Sequence, residues 1–195
     1  VSRRLAPDRD YTAPDGSTVK PENPWTGKYR SAFDLPVPQK GTYRIALVNQ
    51  GLFASYEVDG QKKRWRGKAD ELKTGIPANA KNVQVSEMAS RVETFVTQGK
   101  PGGSALKPTG KGLELVPVTQ PNDLVSGEKA SFQLLLDGKP AANLKVVAIA
   151  GATPYRDAQD DMATTTDPAG KFGCTFSRAA MYWVTASAAD TTPTR

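Results

Sequence analysis

Ala130-Ser131-Phe132-Gln133-Leu134-Leu135-Leu136 runs into Asp137-Gly138-Lys139-Pro140, and Leu144-Lys145-Val146-Val147-Ala148-Ile149 follows. The alternation over 130–136 has the period of two that a half-buried strand requires. Asp-Gly and the proline after it are turn chemistry, so residues 137–140 return the chain. The apolar run 144–149 reads as an inner strand. Outward from this stretch the pattern repeats. Leu113-Glu114-Leu115-Val116-Pro117-Val118 is a strand whose proline puts it at a sheet edge. Met162–Thr166, the turn Asp167-Pro168-Ala169-Gly170 and Lys171–Phe176 read as a hairpin, and Met181–Ser187 is the last strand. Short strands about ten residues apart, joined by turns, predict an antiparallel sandwich.

The first half is less regular. Ala13-Pro14-Asp15-Gly16-Ser17 has the residues of a β-turn. Tyr29–Leu35, Gly41–Val48 and Leu52–Val58 alternate as strands, and Asp59-Gly60 closes a hairpin whose return arm is Lys62–Arg66. Residues 69–92 are polar, with Ser86–Ser90 able to form a helical turn, before a strand resumes at Val92–Thr97. Gln98-Gly99-Lys100-Pro101-Gly102-Gly103-Ser104 has linker composition. The expected fold class is all-β, with two antiparallel β-sandwich domains in tandem, Ig-like or transthyretin-like: residues 1–98, a linker over 99–110, and residues 111–195.

Composition excludes several functions. The chain has 195 residues, 17 glycines, 15 prolines and no histidine. Without histidine there is no Ser-His-Asp or Cys-His nucleophile pair and no His-ligated zinc, so no enzyme is expected. The single cysteine, Cys174, lies in the alternating segment Lys171–Phe176 and reads as a small buried hydrophobe. A net charge of +6 spread along the chain argues against a nucleic-acid binder. No apolar run reaches the ~20 residues that cross a bilayer.

Three groups are candidate sites. Lys62, Arg64 and Arg66 alternate with Lys63 and Trp65, which puts the three cations on one strand face, able to grip an anion or an acidic partner; Trp65 would pack on the other. The bland reading is a solvated edge guarded by charge. Asp157, Asp160 and Asp161 are oxygen donors in one loop, suited to a hard cation, although their spacing is not that of a helix-loop-helix calcium site. As a pair of glycosidase carboxylates they lack any sign of a cleft. Trp25, in a loop, and Trp183, adjacent to Tyr182 on a strand, are candidate aromatic contacts for a partner or a sugar ring.

Gly112–Pro117, Pro121-Asn122-Asp123-Leu124, Leu135–Pro140, Thr166–Phe172 and Met181–Val184, in that order and spacing, resemble the NikM-like family of bacterial periplasmic domains of unknown function, often labelled as nickel or cobalt uptake components. Asp-Gly-Lys-Pro and Thr-Asp-x-x-Gly-Lys-Phe also resemble the carboxypeptidase-regulatory and transthyretin-like sandwiches. Lys40–Arg44 and Arg91–Val96 extend the resemblance into the first half. It implies a periplasmic binding or accessory protein, its signal peptide removed, linked to uptake of nickel, cobalt or iron. The implied cofactor is a divalent transition-metal ion, and the implied partner a membrane transporter or outer-membrane receptor. The family's N-terminal histidine-containing segment and its last basic-then-apolar strand have no counterpart here, so both termini, or disordered loops, are expected to lie outside this sequence. The alternative is a protein-interaction or carbohydrate-binding module of an envelope assembly.

Overall fold

The computed structural model describes residues 8–152, 155 and 157–189. In chain order the strands are β1 (Asp8–Thr12), β2 (Glu22–Thr26), β3 (Ser31–Asp34), β4 (Gly41–Val58), β5 (Gln61–Gly67), β6 (Lys81–Gln98), β7 (Leu113–Pro117), β8 (Lys129–Leu136), β9 (Lys139–Pro140), β10 (Lys145–Ala150), β11 (Met162–Thr165), β12 (Lys171–Thr175) and β13 (Tyr182–Ala186). The fold is mostly β, and the strand pairs of known register are antiparallel. Among the described residues no helix is long and apolar enough to cross a membrane. The chain groups into two compact units that interleave in sequence: one holds residues up to Asp10 with Ile45–Glu93, the other Tyr11–Arg44 with everything from Thr94 onward.

In the first unit, β4 and β5 pair from Leu52↔Gly67 to Val58↔Gln61. Asp59 and Gly60 both have left-handed φ, 53° and 73°, which is what a two-residue hairpin turn demands and what Asp-Gly supplies. Alternate residues Ala54, Tyr56 and Val58 are buried, and Trp65, Ile76 and Ala80 pack against them. The indole of Trp65 covers Gly67 and Gly75 so closely that a Cβ on Gly75 would lie 2.0 Å from Nε1. Residues 81–90, read from sequence as polar with a helical turn at Ser86–Ser90, are instead strand. They are exposed on both faces, so no buried side advertised the period of two. Pairing with β4 decides their conformation, with Gln50 Nε2 donating to Glu87 Oε1 at 2.7 Å and Asn82 Nδ2 to Glu57 Oε2 at 2.9 Å.

In the second unit, one sheet has the order β11-β10-β13 and another the order β12-β8-β7, with β9 beside β8. Ala130, Phe132 and Leu134 of β8, Phe172 and Cys174 of β12, and Val146 and Ala148 of β10 form one buried cluster, so the two sheets face each other in a sandwich-like pair. β10 is central and β7 lies at an edge, as its proline requires.

The hairpin expected over Met162–Phe176 does not form: β11 pairs with β10 while β12 pairs with β8, and the turn carries the chain from one sheet to the other. Thr166 anchors this crossing, its buried hydroxyl donating to Ala141 O at 2.7 Å and accepting from Leu144 N at 2.9 Å. Tyr11 stacks on Phe33 of the β2–β3 hairpin, ring centroids 5.2 Å apart. The Gly/Pro/Ser run is held in place: Thr42 N donates to Gly102 O, Ser104 N donates to Pro14 O, and Ala105 is buried.

Candidate functional site

The β5 cations form the most organised of the predicted sites. Lys62, Arg64 and Arg66 lie on one face, opposite Glu57, Ser55 and Phe53 of β4, and all three are exposed. Trp65 points the other way, as its place in the alternation predicts. The Arg66 guanidinium sits 4.9 Å from the centroid of the Phe53 ring, a cation–π contact that orients it while leaving its N–H groups available. Lys62 faces Glu57, whose carboxylate also accepts from Asn82. Arg64 faces only a serine. None of these cations forms an ion pair with another described residue; the unit's charge pairs lie instead at Arg91, 3.6 Å from Asp10 and 3.8 Å from Glu93. Among the described residues β5 has β4 as its only strand neighbour in the sheet order. The stripe therefore presents fork-shaped donors along an open edge, the arrangement that suits carboxylates on an incoming chain.

Asp157, Asp160 and Asp161 are exposed in the segment before β11. Among the described residues no three His, Cys, Asp or Glu side chains converge in a metal-holding group, so the structure does not bring these carboxylates together.

Trp25 is not in a loop. It lies in β2 opposite Ala32 of β3, where its exposed neighbours hid the strand, and it is 54% exposed with the Arg30 guanidinium 5.8 Å from its ring. Trp183 projects outward from the edge strand β13, 56% exposed, while Tyr182 turns inward against Phe176 at 4.4 Å. The two tryptophans are thus separate surface features within the second unit.

Two polar positions escaped the sequence reading. Glu114 is 2% exposed, and its carboxylate accepts from Thr109 N and Oγ1, Gly110 N and Lys111 N. It ties the approach to β7 in place. A lone acid between Leu113 and Leu115 was the available signal. Asp15 accepts from the Ser17 hydroxyl, the Ser17 N–H and the Gln39 amide, and these bonds hold its carboxyl below the ordinary value. Cys174 is buried in the core, and desolvation pushes its thiol up, consistent with a packing role.

A sequence model for a domain of unknown function, DUF4198, matches residues 4–190. The chain belongs to the DUF4198 family. The match spans both compact units, so as a DUF4198 protein the chain carries the two together as one family module. No curated protein and no solved structure matches it significantly.

Proposed function

We propose that this DUF4198 protein is a non-enzymatic periplasmic accessory protein that docks an acidic partner through Lys62, Arg64 and Arg66. The observation that carries this reading is the alignment of three exposed cations on one face of an open strand, with Arg66 braced on Phe53 and Arg64 facing only Ser55. An acidic extended segment laid along β5 would gain main-chain hydrogen bonds from the edge and charge-assisted bonds from the side chains. The lack of histidine anywhere in the chain supports a role without catalysis.

The resemblance to the NikM-like family points to the kind of partner, a membrane transporter or outer-membrane receptor for a transition-metal ion. On this reading the protein serves metal uptake by assembly rather than by holding the ion on Asp157, Asp160 and Asp161. Reversing Arg64 and Arg66 to glutamate should abolish co-purification of an envelope partner that wild type retains. Unchanged recovery removes the docking role. Titration calorimetry with nickel, cobalt, copper and iron tests direct capture independently, and micromolar binding retained after the three aspartates are changed to asparagine would locate the metal elsewhere.

A further inference from the structure

Two outer strands of the first unit's sheet, β5 and β6, differ in a way that selects a second partner, independently of the docking role of β5. β4 pairs with β1, β5 and β6, and among the described residues β5 and β6 each pair with β4 alone within this sheet. The β5 edge carries Lys62, Lys63, Arg64 and Arg66, so two copies brought edge to edge there would repel. The β6 edge has no such guard. Among the described residues no strand pairs with its outer side, and Val83, Val85 and Met88 are exposed upon it. An open strand of this length and apolar content is a template for another strand.

We infer that β6 pairs antiparallel with β6 of a second copy of this chain, about a two-fold axis through Gln84. The sequence around that residue is self-complementary: Lys81-x-Val83-x-Val85-x-Glu87. An antiparallel copy centred on Gln84 sets Val83 against Val85 on both sides of the axis and Asn82 against Ser86. It also brings Lys81 alongside Glu87 twice. Centring on a residue matches outward-facing backbone groups with outward-facing ones, as antiparallel pairing requires. Neighbouring axes are worse. One through Glu87 stacks that carboxylate on its own copy, and one through Ser86 sets Lys81 against Arg91. Asn82 has left-handed φ, 53°, which bends the strand there and ends regular pairing beyond it, leaving the flexible Lys81 side chain to span the bend. The isologous contact closes at two copies.

Single cysteines at Gln84 and Ser90 test the register directly. Paired residues on the axis have Cα atoms ~4.5–5.5 Å apart, within disulfide range, whereas Ser90 and its copy would be about 40 Å apart at ~3.4 Å per residue. Mild oxidation with copper-phenanthroline in air should convert Q84C to a covalent dimer at least tenfold faster than S90C, with wild type, whose Cys174 is buried, remaining monomeric on a non-reducing gel. Sedimentation equilibrium supplies the charge test: K81E and E87K should each raise the dimer dissociation constant about tenfold, and the double swap should return it to within about threefold of wild type. Circular dichroism confirms that each variant is folded. Equal cross-linking of Q84C and S90C, open-ended oligomers, or a double swap no better than the singles would overturn the pairing.

Discussion

Replacing Glu114 by glutamine keeps the shape of a buried side chain while changing which of its neighbours are satisfied. One carboxylate oxygen accepts from Thr109 N at 2.8 Å and Thr109 Oγ1 at 2.7 Å; the other accepts from Gly110 N at 2.6 Å and Lys111 N at 3.3 Å. An amide has one acceptor, so whichever way it turns, its NH₂ faces backbone N–H donors. With the oxygen left on Thr109, the amides of Gly110 and Lys111 lose their acceptor in a site that is 2% exposed. At ~1–3 kcal/mol per stranded buried donor, less for the long Lys111 bond, E114Q should cost about 2–5 kcal/mol. That is a large part of the ~5–15 kcal/mol that holds a domain folded. Thr109→Val removes only one hydroxyl donor and should cost about 1 kcal/mol. Urea unfolding followed by circular dichroism measures both. An E114Q loss below about 0.5 kcal/mol, or a T109V loss equal to it, would refute the reasoning that the carboxylate organises residues 109–111.

Gly170 has φ of 73°, and an added Cβ would lie 2.4 Å from Leu134 O; Gly138 has φ of 76° with nothing nearer than 3.7 Å. G170A should therefore destabilise by about 2–4 kcal/mol and G138A by about 1 kcal/mol, compared by thermal unfolding; equal losses would show that steric contact plays no part. For Cys174, burial raises the thiol above its unfolded value. A raised acid contributes stability below the unfolded thiol value, ~8.5, and that contribution is lost as pH climbs through the folded one. The urea midpoint of wild type should fall more steeply above about pH 8.5 than that of C174A, and parallel curves would contradict the burial argument.

Much of the second unit was legible because local and long-range requirements agree there. Asp137-Gly138 adopts the left-handed turn that its residue types favour, as Asp59-Gly60 does in the first unit, and the alternation of 130–136 reports a real buried face. Where one requirement acts alone the sequence is ambiguous. Asp167–Gly170 forms a tight turn, but whether its flanking strands share a sheet depends on Phe172 meeting Phe132, a contact across forty residues. Residues 81–90 bury neither face, so nothing periodic distinguishes strand from helix, and β4 settles the matter.

The interleaving of 11–44 with 94 onward rests on hydrogen bonds such as Ser104 to Pro14, which composition does not encode. At the candidate site, the period of two sufficed to align Lys62, Arg64 and Arg66. The brace of Arg66 on Phe53 depends on hairpin register, which the period alone does not give.

The docking role of β5 is tested most directly by titrating the whole protein with an extended acidic peptide of alternating glutamate and threonine, at several salt concentrations. Wild type should bind, more weakly as salt rises, and R64E/R66E should lose at least about tenfold in affinity, while reversal of the exposed Lys129 and Lys145 of the second unit leaves it unchanged. Equal affinity for wild type and R64E/R66E, or an equal loss from K129E/K145E, would contradict it.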